Sequence, residues 1–361
     1  MKIFEIICMF FFLSSCTNTT FIQEDSKTIN IDVAKSIKFF DADKLLDTIG
    51  HEIIVLDTAK NSFIGHVNKL LVTEDKLYIW DRDNKVVFIY SPDGKYLSRI
   101  ASQGRAKNEY VDIDDFYVSK NRIYILDNAT MRLLEYDIND MIYLINYASE
   151  TDNGQYHIFK IDNNGNLKDK YLEFDKKYRN TPHLKAYSEV NHVFSLCMSP
   201  VNEIYRIDSI SCQLAYRVNF VNKNLPEKYY EKDLRALIQA KIPDKYILGV
   251  DQIQESSNYL FIYFWDNWEY YTALYDKTND HMTVCKGILI SSMYRMGFGD
   301  YYIHNNCVYS IVEASLFKIL VEEIIKKNSK SKDKYITELE KINQEITDYS
   351  NPVIIKYKLK S

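Results

Sequence analysis

The densest aromatic stretch of the sequence is LFIYFWDNWEYYTALYD, at residues 260–276. Four of its side chains, Trp265, Trp268, Tyr270 and Tyr271, flank an Asp-Asn pair of the kind that occupies tight turns. Flat aromatic faces at the tip of a turn could stack on sugar rings or anchor a partner protein. The alternative is that these rings fill the space between packed sheets. We predict a contact surface for a ligand or partner at these four residues.

The histidines show no spacing that is typical of metal ligands. None lies in an H-E-x-x-H motif, and metal sites normally show several ligands together. The sequence therefore predicts structural or surface roles for the histidines, with no metal and no cofactor. The seven residues are His51, His66, His157, His183, His192, His281 and His304.

Six aspartates cluster at the ends of predicted strands. Such a set could bind calcium or supply a general acid/base pair, but aspartate is also a favoured turn residue because its side chain caps nearby backbone amides. The sequence contains no G-x-S-x-G elbow and no glycine-rich phosphate loop. We interpret the aspartates as turn residues and predict no catalytic residue. They are Asp81, Asp83, Asp112, Asp114, Asp115 and Asp127.

The start of the chain has the pattern of an export signal. Lys2 is followed by the apolar run IICMFFFL at residues 6–13, which is too short to remain as a membrane-spanning helix. The sequence LSSC at residues 13–16 resembles the lipobox of bacterial lipoproteins, whose cysteine receives diacylglycerol. The resemblance implies cleavage before Cys16 and a lipid anchor on that cysteine. An ordinary secretory signal with an incidental cysteine is the alternative.

The expected organisation is a signal peptide at residues 1–15, a polar tether at residues 16–30 and one folded domain at residues 31–361. The 45 basic and 50 acidic residues are mixed along the chain and give a net charge of −5. No basic stripe is present, so we exclude nucleic acid as a partner. Four cysteines follow Cys16 without a C-x-x-C spacing, and we predict buried free thiols.

Repeated hairpins determine the fold prediction. In each, an apolar run is followed by a Ser or Asp, a short polar turn and a second alternating run. Pairs of strands at residues 66–81 and 112–127 precede the first two hairpins at an offset of 46 residues. A strand pair plus a hairpin, with a period in the forties, is typical of a four-stranded propeller blade. The hairpins begin at Val87, Leu133, Ile158, Ile204 and Ala273, and their polar residues are 46, 25, 46 and 68 residues apart.

The irregular steps predict departures from a regular blade. In the 25-residue step, either the outermost strand of the second blade and the innermost of the third are missing, or their boundary is irregular. The 68-residue step contains a helical pattern at about 226–242, and a two-helix pattern covers about 315–348. The last segment, residues 351–360, alternates like a strand. We expect it to complete the last blade beside strands from the other terminus.

The whole pattern resembles the six-bladed β-propeller lipoproteins of Bacteroidetes, which are NHL-like propellers. The resemblance rests on the lipobox, EIIVLDT near residue 52, the segment from Ile64 to Ile100, IYRID followed by NLPEKYYE, and the helices before NPVIIKYKL. It implies an all-β six-bladed propeller and export. The family usually carries a Gly-Pro-Gly-Glu-Tyr-like corner, of which this chain keeps Gly104, Glu109 and Tyr110.

We therefore expect a lipid-anchored envelope propeller that acts as a non-catalytic binding or scaffolding module. Its partners would be the membrane, through lipid on Cys16, and an envelope protein or glycan. The outer membrane is the expected location, on either its periplasmic or its surface face. The alternative is an envelope hydrolase or lyase that acts on glycans or small esters with carboxylates near the axis. A further alternative makes residues 315–350 the docking element for a membrane-protein partner.

Overall fold

The computed structural model describes residues 26–58, 61–106, 109–113, 115–119, 122–127, 132–136, 142–145, 156–161, 167–173, 186–190, 193–207, 211–230, 232–289, 301–327 and 334–360. These residues contain twenty-five strands and three α-helices. The strands are β1 (Lys27–Ile31), β2 (Phe40–Asp41), β3 (Leu46–Val55), β4 (Lys69–Val72), β5 (Leu77–Asp81), β6 (Val86–Tyr90), β7 (Tyr96–Ile100), β8 (Asp115–Ser119), β9 (Arg122–Asp127), β10 (Arg132–Tyr136), β11 (Ile142–Ile145), β12 (Tyr156–Ile161), β13 (Leu167–Glu173), β14 (Ala186–Val190), β15 (Val193–Met198), β16 (Glu203–Ile207), β17 (Cys212–Phe220), β18 (Val250–Glu255), β19 (Tyr259–Asp266), β20 (Glu269–Asp276), β21 (His281–Cys285), β22 (Ile288–Leu289), β23 (Tyr301–His304), β24 (Cys307–Val312) and β25 (Val353–Leu359). The helices are α1 (Leu234–Gln239), α2 (Ala314–Lys327) and α3 (Lys334–Glu345).

Six sheets of three to five strands follow one another along the described chain, and we call them blades 1 to 6. Blade 1 contains β4–β7, blade 2 β8–β10, blade 3 β11–β13, blade 4 β14–β17 with β1 added, and blade 5 β18–β21. Blade 6 contains β23, β24, β25 and β3. First strands of successive blades are in contact, β14 with β18, β18 with β23, and β23 with β4. The protein is the all-β propeller that the repeats predict.

Apolar residues form the blades because each sheet is covered on both faces by its neighbours. Strands β5 and β6 are buried at every position, as LYIWD and VVFIY. Each fully buried large side chain stabilises the fold by about 1.5–3 kcal/mol. The clusters join blades 6 and 1, 1 and 2, 3 and 4, 4 and 5, and 5 and 6. Each cluster contains a residue from both of its blades. In the same order, examples are Ile354 with Phe88, Val87 with Ile125, Ile158 with Leu196, Phe220 with Phe264, and Ile355 with Phe261.

The ring closes in blade 6, where strands from the two ends of the folded domain pair. Strand β25 is antiparallel to β3, with Ile354 opposite Ile54 and Ile355 opposite Ile53. The predicted closure by residues 351–360 is confirmed. Because β3 and β25 lie about 300 residues apart in sequence, this pairing fixes the whole ring.

Asn351 ties the closing strand to the loop that leads into blade 1. Its side chain is buried, and its Oδ1 accepts a hydrogen bond of 2.8 Å from the Ile64 backbone N–H. Its Nδ2 donates to the carbonyl oxygens of Asp57 and Ser62, at 2.7 Å each. One side chain therefore satisfies three backbone groups of that loop.

The segment before β3 covers the outer edges of two blades. Strand β1 pairs in parallel with β17 of blade 4, Ile37 bridges Cys285 of blade 5, and β2 pairs with β22. Covering these edges protects them from pairing with other chains. Residues 27–30, which the sequence analysis assigns to the polar tether, belong to β1. The tether boundary is thus wrong by four residues, because alternating KTINI gains a partner only through long-range pairing.

Four of the five predicted hairpins are confirmed: β6–β7, β12–β13, β16–β17 and β20–β21. The prediction of a hairpin from Leu133 is wrong, because β10 pairs with β9 and β11 pairs with β12. Blades 2 and 3 have three strands each among the described residues. The predicted turn at residues 137–140 lies outside the described residues.

The helices lie where the periodicity predicts them. Helix α1, preceded by a 3-10 helix at Glu227–Tyr229, lies between blades 4 and 5. Helices α2 and α3 lie between β24 and β25 and bury Phe317, Val321 and Leu339 against blades 5 and 6. Among the described residues, no helix combines the length and apolar character needed to cross a bilayer. All four cysteines after Cys16 are free thiols, with Cys197, Cys212 and Cys285 buried and Cys307 half-buried.

Candidate binding site on the upper face of blade 5

We call the upper face the end of the propeller at which the second and third strands of a blade are joined and successive blades are connected. Contacts between these two kinds of loop place them together. Lys223, just after β17, binds both carboxylate oxygens of Asp266 at the β19–β20 turn, at 2.7 and 2.6 Å. In blade 1 the Gly65 N–H donates to Asp81 at 2.7 Å. The opposite end is the lower face.

The β19–β20 turn is a tight two-residue loop. Asp266 pairs with Glu269, and both Asn267 and Trp268 have positive φ, at 49° and 67°. This is the backbone of the hairpin turns that match the twist of antiparallel strands. Asparagine tolerates a positive φ, but tryptophan rarely adopts it. Trp268 therefore stands at the tip of the turn at some conformational cost, 59% exposed.

Strand alternation places Trp265 and Tyr270 on one side of blade 5. They are directly opposite each other in the β19–β20 pairing, with ring centroids 4.8 Å apart and planes tilted by 54°. Trp265 is 51% exposed and Tyr270 is 36% exposed. Tyr271 points to the other side, is 5% exposed and stacks on Phe264 at 5.7 Å. Its predicted role in a contact surface is therefore wrong, and it fills the space between blades 4 and 5.

A bulge aims Asp251 at these rings. Val250 pairs with Phe264 and Gln252 with Tyr263, which leaves Asp251 as an extra residue of β18. The Tyr270 hydroxyl donates to the Asp251 carboxylate at 3.2 Å, and the Trp265 side chain lies beside the same carboxylate. Burial raises the pKa of Asp251 above its ordinary value, and these polar neighbours act against the shift.

Two further contacts hold the rings in place. Trp268 Nε1 donates to the carboxylate of Asp244 at 3.1 Å, in the connection from blade 4. Tyr270 stacks on Tyr263 with an angle of 13° and a centroid distance of 6.1 Å. The Tyr263 hydroxyl donates in turn to that of Tyr301 in blade 6. Because their partners belong to three different elements, the exposed rings are presented on a rigid base.

Asp81 and Tyr110 have structural roles. Asp81 is fully buried and accepts hydrogen bonds from Gly65 N–H and from the backbone and side chain of Asn84. The Tyr110 hydroxyl donates to the carbonyl oxygens of Lys85, at 2.7 Å, and Ile100. The described residues contain no group of three or more His, Cys, Asp or Glu side chains placed to hold a metal ion. Cys16, His183, His192 and Asp114 lie outside the described residues, and His157 lies in strand β12.

Sequence reasoning missed a buried charge cluster at the lower end of β18. Glu255 is 2% exposed and binds Lys277 at 2.8 Å, Ser195 at 2.6 Å and also Arg206. Burial acts to raise the pKa of Glu255, but Lys277 and Arg206 outweigh it and hold the pKa below its ordinary value. The cluster joins blades 4 and 5. No linear signal could reveal it, because its members come from four strands or turns.

A family model described as a 6-bladed beta-propeller, DUF5128, matches residues 20–151 and 140–298. A solved structure from Bacteroides fragilis, classed as an exported protein, is similar with 15% identity and a TM-score of 0.68, over 93% of this chain and 100% of that one. A DUF4221 family member from Bacteroides vulgatus is similar with 11% identity and a TM-score of 0.48, over 86% of this chain and 96% of that one. Virginiamycin B lyase from Staphylococcus aureus is similar with 11% identity and a TM-score of 0.34, over 72% of this chain and 80% of that one.

No curated protein matches the chain. At 15% identity, the similarity to the Bacteroides fragilis structure shows the fold alone. The family model covers more than half of the 361 residues, and the described chain forms six successive blades closed by β3 and β25. The chain belongs to the DUF5128 family of six-bladed β-propellers.

Proposed function

We propose that this protein is an exported binding module, anchored to the bacterial envelope through lipid on Cys16, that holds a partner on the upper face of blade 5. It has no catalytic step of its own. The observation that carries this proposal is the exposure of Trp265, Trp268 and Tyr270 around one turn, each held by a hydrogen bond or ring contact. Large aromatic side chains that are both exposed and rigid are typical of binding hot spots.

The matching turn of blade 1, between β5 and β6, forms without aromatic side chains. Residues Arg82–Lys85 join β5 and β6 at the same level, and Arg82 and Asp83 are exposed there. The turn is satisfied by Asp81 and Asn84 without any aromatic ring. Trp265, Trp268 and Tyr270 are therefore an addition to blade 5.

Export and anchoring rest on the start of the chain. The LSSC sequence at residues 13–16 supports lipidation, and the Bacteroides fragilis structure with this fold is classed as exported. Metabolic labelling with an alkyne fatty acid tests the anchor. We expect label on the parent protein and none on Cys16→Ala, with the variant released from membranes. Equal labelling of both proteins would disprove the anchor.

Site-specific photocrosslinking in intact cells tests the binding face. The photocrosslinker p-benzoylphenylalanine replaces Trp268 in one protein and Asp83, on the matched turn of blade 1, in the control. We expect one adduct of defined mass from position 268 that position 83 does not give. Identical adduct patterns at both positions would overturn the proposal. Turnover of an envelope glycan, ester or peptide by the purified protein, lost on substitution of carboxylates near the axis, would replace it with the hydrolase or lyase.

A further inference from the structure

We propose that the partner held on the upper face of blade 5 is a protein that places an arginine or lysine side chain on the exposed surface of Trp265 and Tyr270, beside Asp251. This inference rests on the proposed function and adds the chemistry of the partner to it. Three features of the site carry it: the angle between the rings, the local charge, and the position of the site at the tip of a turn.

The two rings form a corner. Their planes are tilted by 54° with centroids 4.8 Å apart, and Asp251 lies against both of them. A pyranose ring stacks best on a flat and open aromatic face. A guanidinium or ammonium group instead needs only the part of each tilted ring that is exposed, and it gains further from a carboxylate beside the rings. The geometry thus fits a cation.

The charges around the site favour the same conclusion. Lys223 is paired with Asp266, and Lys286 with Glu269 at 2.6 Å. In the described part of the chain, neither Asp244 nor Asp251 has a basic side chain within ion-pair distance. Burial already disfavours the charged form of Asp251. A cation from the partner would relieve that cost and complete the site.

The third feature selects a protein as the source of the cation. Trp268 projects from the tip of the turn with 59% of its surface exposed, next to Trp265 at 51%. Tryptophan, tyrosine and arginine are the residues enriched at protein–protein hot spots. A surface that projects from a rigid blade suits a partner that folds around it. The structure thus favours a basic segment of a partner protein over a small sugar.

Intrinsic fluorescence reports this site directly. The chain has three tryptophans, and Trp80 is 9% exposed between blades 1 and 2, so ligand-induced changes come mainly from Trp265 and Trp268. The purified protein, without its signal peptide, is titrated with a blocked tetra-arginine peptide and with the tetra-citrulline peptide, which has the same shape and no charge. A third titration uses the neutral saccharide chitohexaose.

The variants are Asp251→Asn, Asp244→Asn and Trp265→Ala, with Asp83→Asn as the control. Asp83 is an exposed carboxylate of the matched turn in blade 1, so its replacement changes the net charge equally. We expect saturable binding of tetra-arginine and none of tetra-citrulline. Each site variant should weaken binding about fivefold, and added salt should weaken it too. Asp83→Asn should bind like the parent protein. Unchanged melting curves show that the variants fold.

Each other outcome has a distinct meaning. If Asp251→Asn and Asp244→Asn bind tetra-arginine like the control, the basic-segment inference is wrong. If chitohexaose changes the emission, without salt dependence, and tetra-arginine does not, the inference is wrong but a binding site at this turn stands. If no ligand changes the emission and position 268 gives no specific crosslink in cells, the proposed function itself fails.

Discussion

Two carboxylates of strand β18 lie four residues apart and have opposite electrostatic environments. Asp251, at the upper end, is partly buried without a cation, and its pKa is raised. Glu255, at the lower end, is buried with Lys277 and Arg206, and its pKa is lowered. The first carboxylate is available to a ligand, whereas the second is used within the fold. The negative charge that Asp251 and Glu255 share does not distinguish these two roles; their surroundings do.

We expect Asp251→Asn to leave the protein as stable as the parent or up to about 1 kcal/mol more stable. A carboxylate whose folded pKa is raised costs stability as pH rises through that pKa, because its charged form is the disfavoured one. The gain should therefore be near zero below the ordinary aspartate pKa and should grow as pH rises above it. Chemical denaturation at several pH values measures it. A loss of stability at neutral pH would show that the Asp251 carboxylate supports the fold.

We expect Glu255→Gln to destabilise the protein by about 2–4 kcal/mol at pH 7, because it leaves Lys277 and Arg206 without their carboxylate. Since the folded pKa of Glu255 is lowered, its contribution is complete above the ordinary glutamate pKa and is lost as pH falls through the folded value. The difference between the two proteins should shrink in acid. Glu340→Gln, on the exposed side of α3, is the control. Equal unfolding midpoints for Glu255→Gln and the control would contradict this role.

Secondary-structure elements show where local patterns suffice and where they do not. The apolar run of β6, the second run in β7 and the Pro-Asp-Gly turn between them are local, so that hairpin is predicted correctly. The segment from Leu133 has the same local pattern, yet β10 and β11 belong to different blades. Turn chemistry permits a hairpin, but the available partner strands decide whether it forms. Strand β1 was missed for the same reason.

Only the part of the candidate site that has a local signal can be predicted from the sequence. The Asp-Asn pair and the aromatic run are local, so Trp265, Trp268 and Tyr270 could be found in the sequence. The prediction for Tyr271 is wrong, because strand alternation turns its side chain to the opposite side of the blade from Tyr270. Asp251 could not be found, because only the pairing of β18 with β19 reveals the bulge that aims it at the rings.

Asn351 links the closing strand to the loop that leads into blade 1. We expect Asn351→Ala to lower the free energy of unfolding by about 1–3 kcal/mol, because it leaves the Ile64 N–H without its acceptor and removes one of two donors from each of the Asp57 and Ser62 carbonyl oxygens. Hydrogen exchange should rise first in β3 and β25. Asn61→Ala, an exposed asparagine in the loop that Asn351 contacts, is the control. If the two variants unfold alike, Asn351 does not secure the closure.

For the whole molecule, the path of the first described strand relates the proposed anchor to the binding face. Strand β1 runs towards the upper face, because Ile31 pairs with Phe220 near the Lys223–Asp266 contact. Its first residue, Lys27, forms an ion pair of 2.7 Å with Asp280, in the turn between β20 and β21 at the lower face. The chain therefore enters the fold from the lower side of blades 4 and 5.

If Cys16 carries the lipid, ten residues separate it from Lys27. Ten residues reach at most about 35 Å, and strand β20 adds about 25 Å between the lower and upper faces. We therefore predict that the lower face of blade 5 lies nearest the membrane and that Trp265 and Trp268 point away from it. The upper face is then open to a partner protein approaching from the aqueous side.

Vesicles that contain the lipidated protein and a nitroxide-labelled headgroup lipid measure this orientation. We expect the fluorescence of Trp265 and Trp268 to be quenched little. A protein with both replaced by Phe and with Thr278→Trp, in the exposed turn of the lower face, should be quenched strongly. A soluble quencher confirms that all three positions are accessible. Stronger quenching of the native tryptophans would mean that the aromatic turn faces the lipid. The site would then be closed to a soluble partner, because the membrane would cover the corner between Trp265, Tyr270 and Asp251.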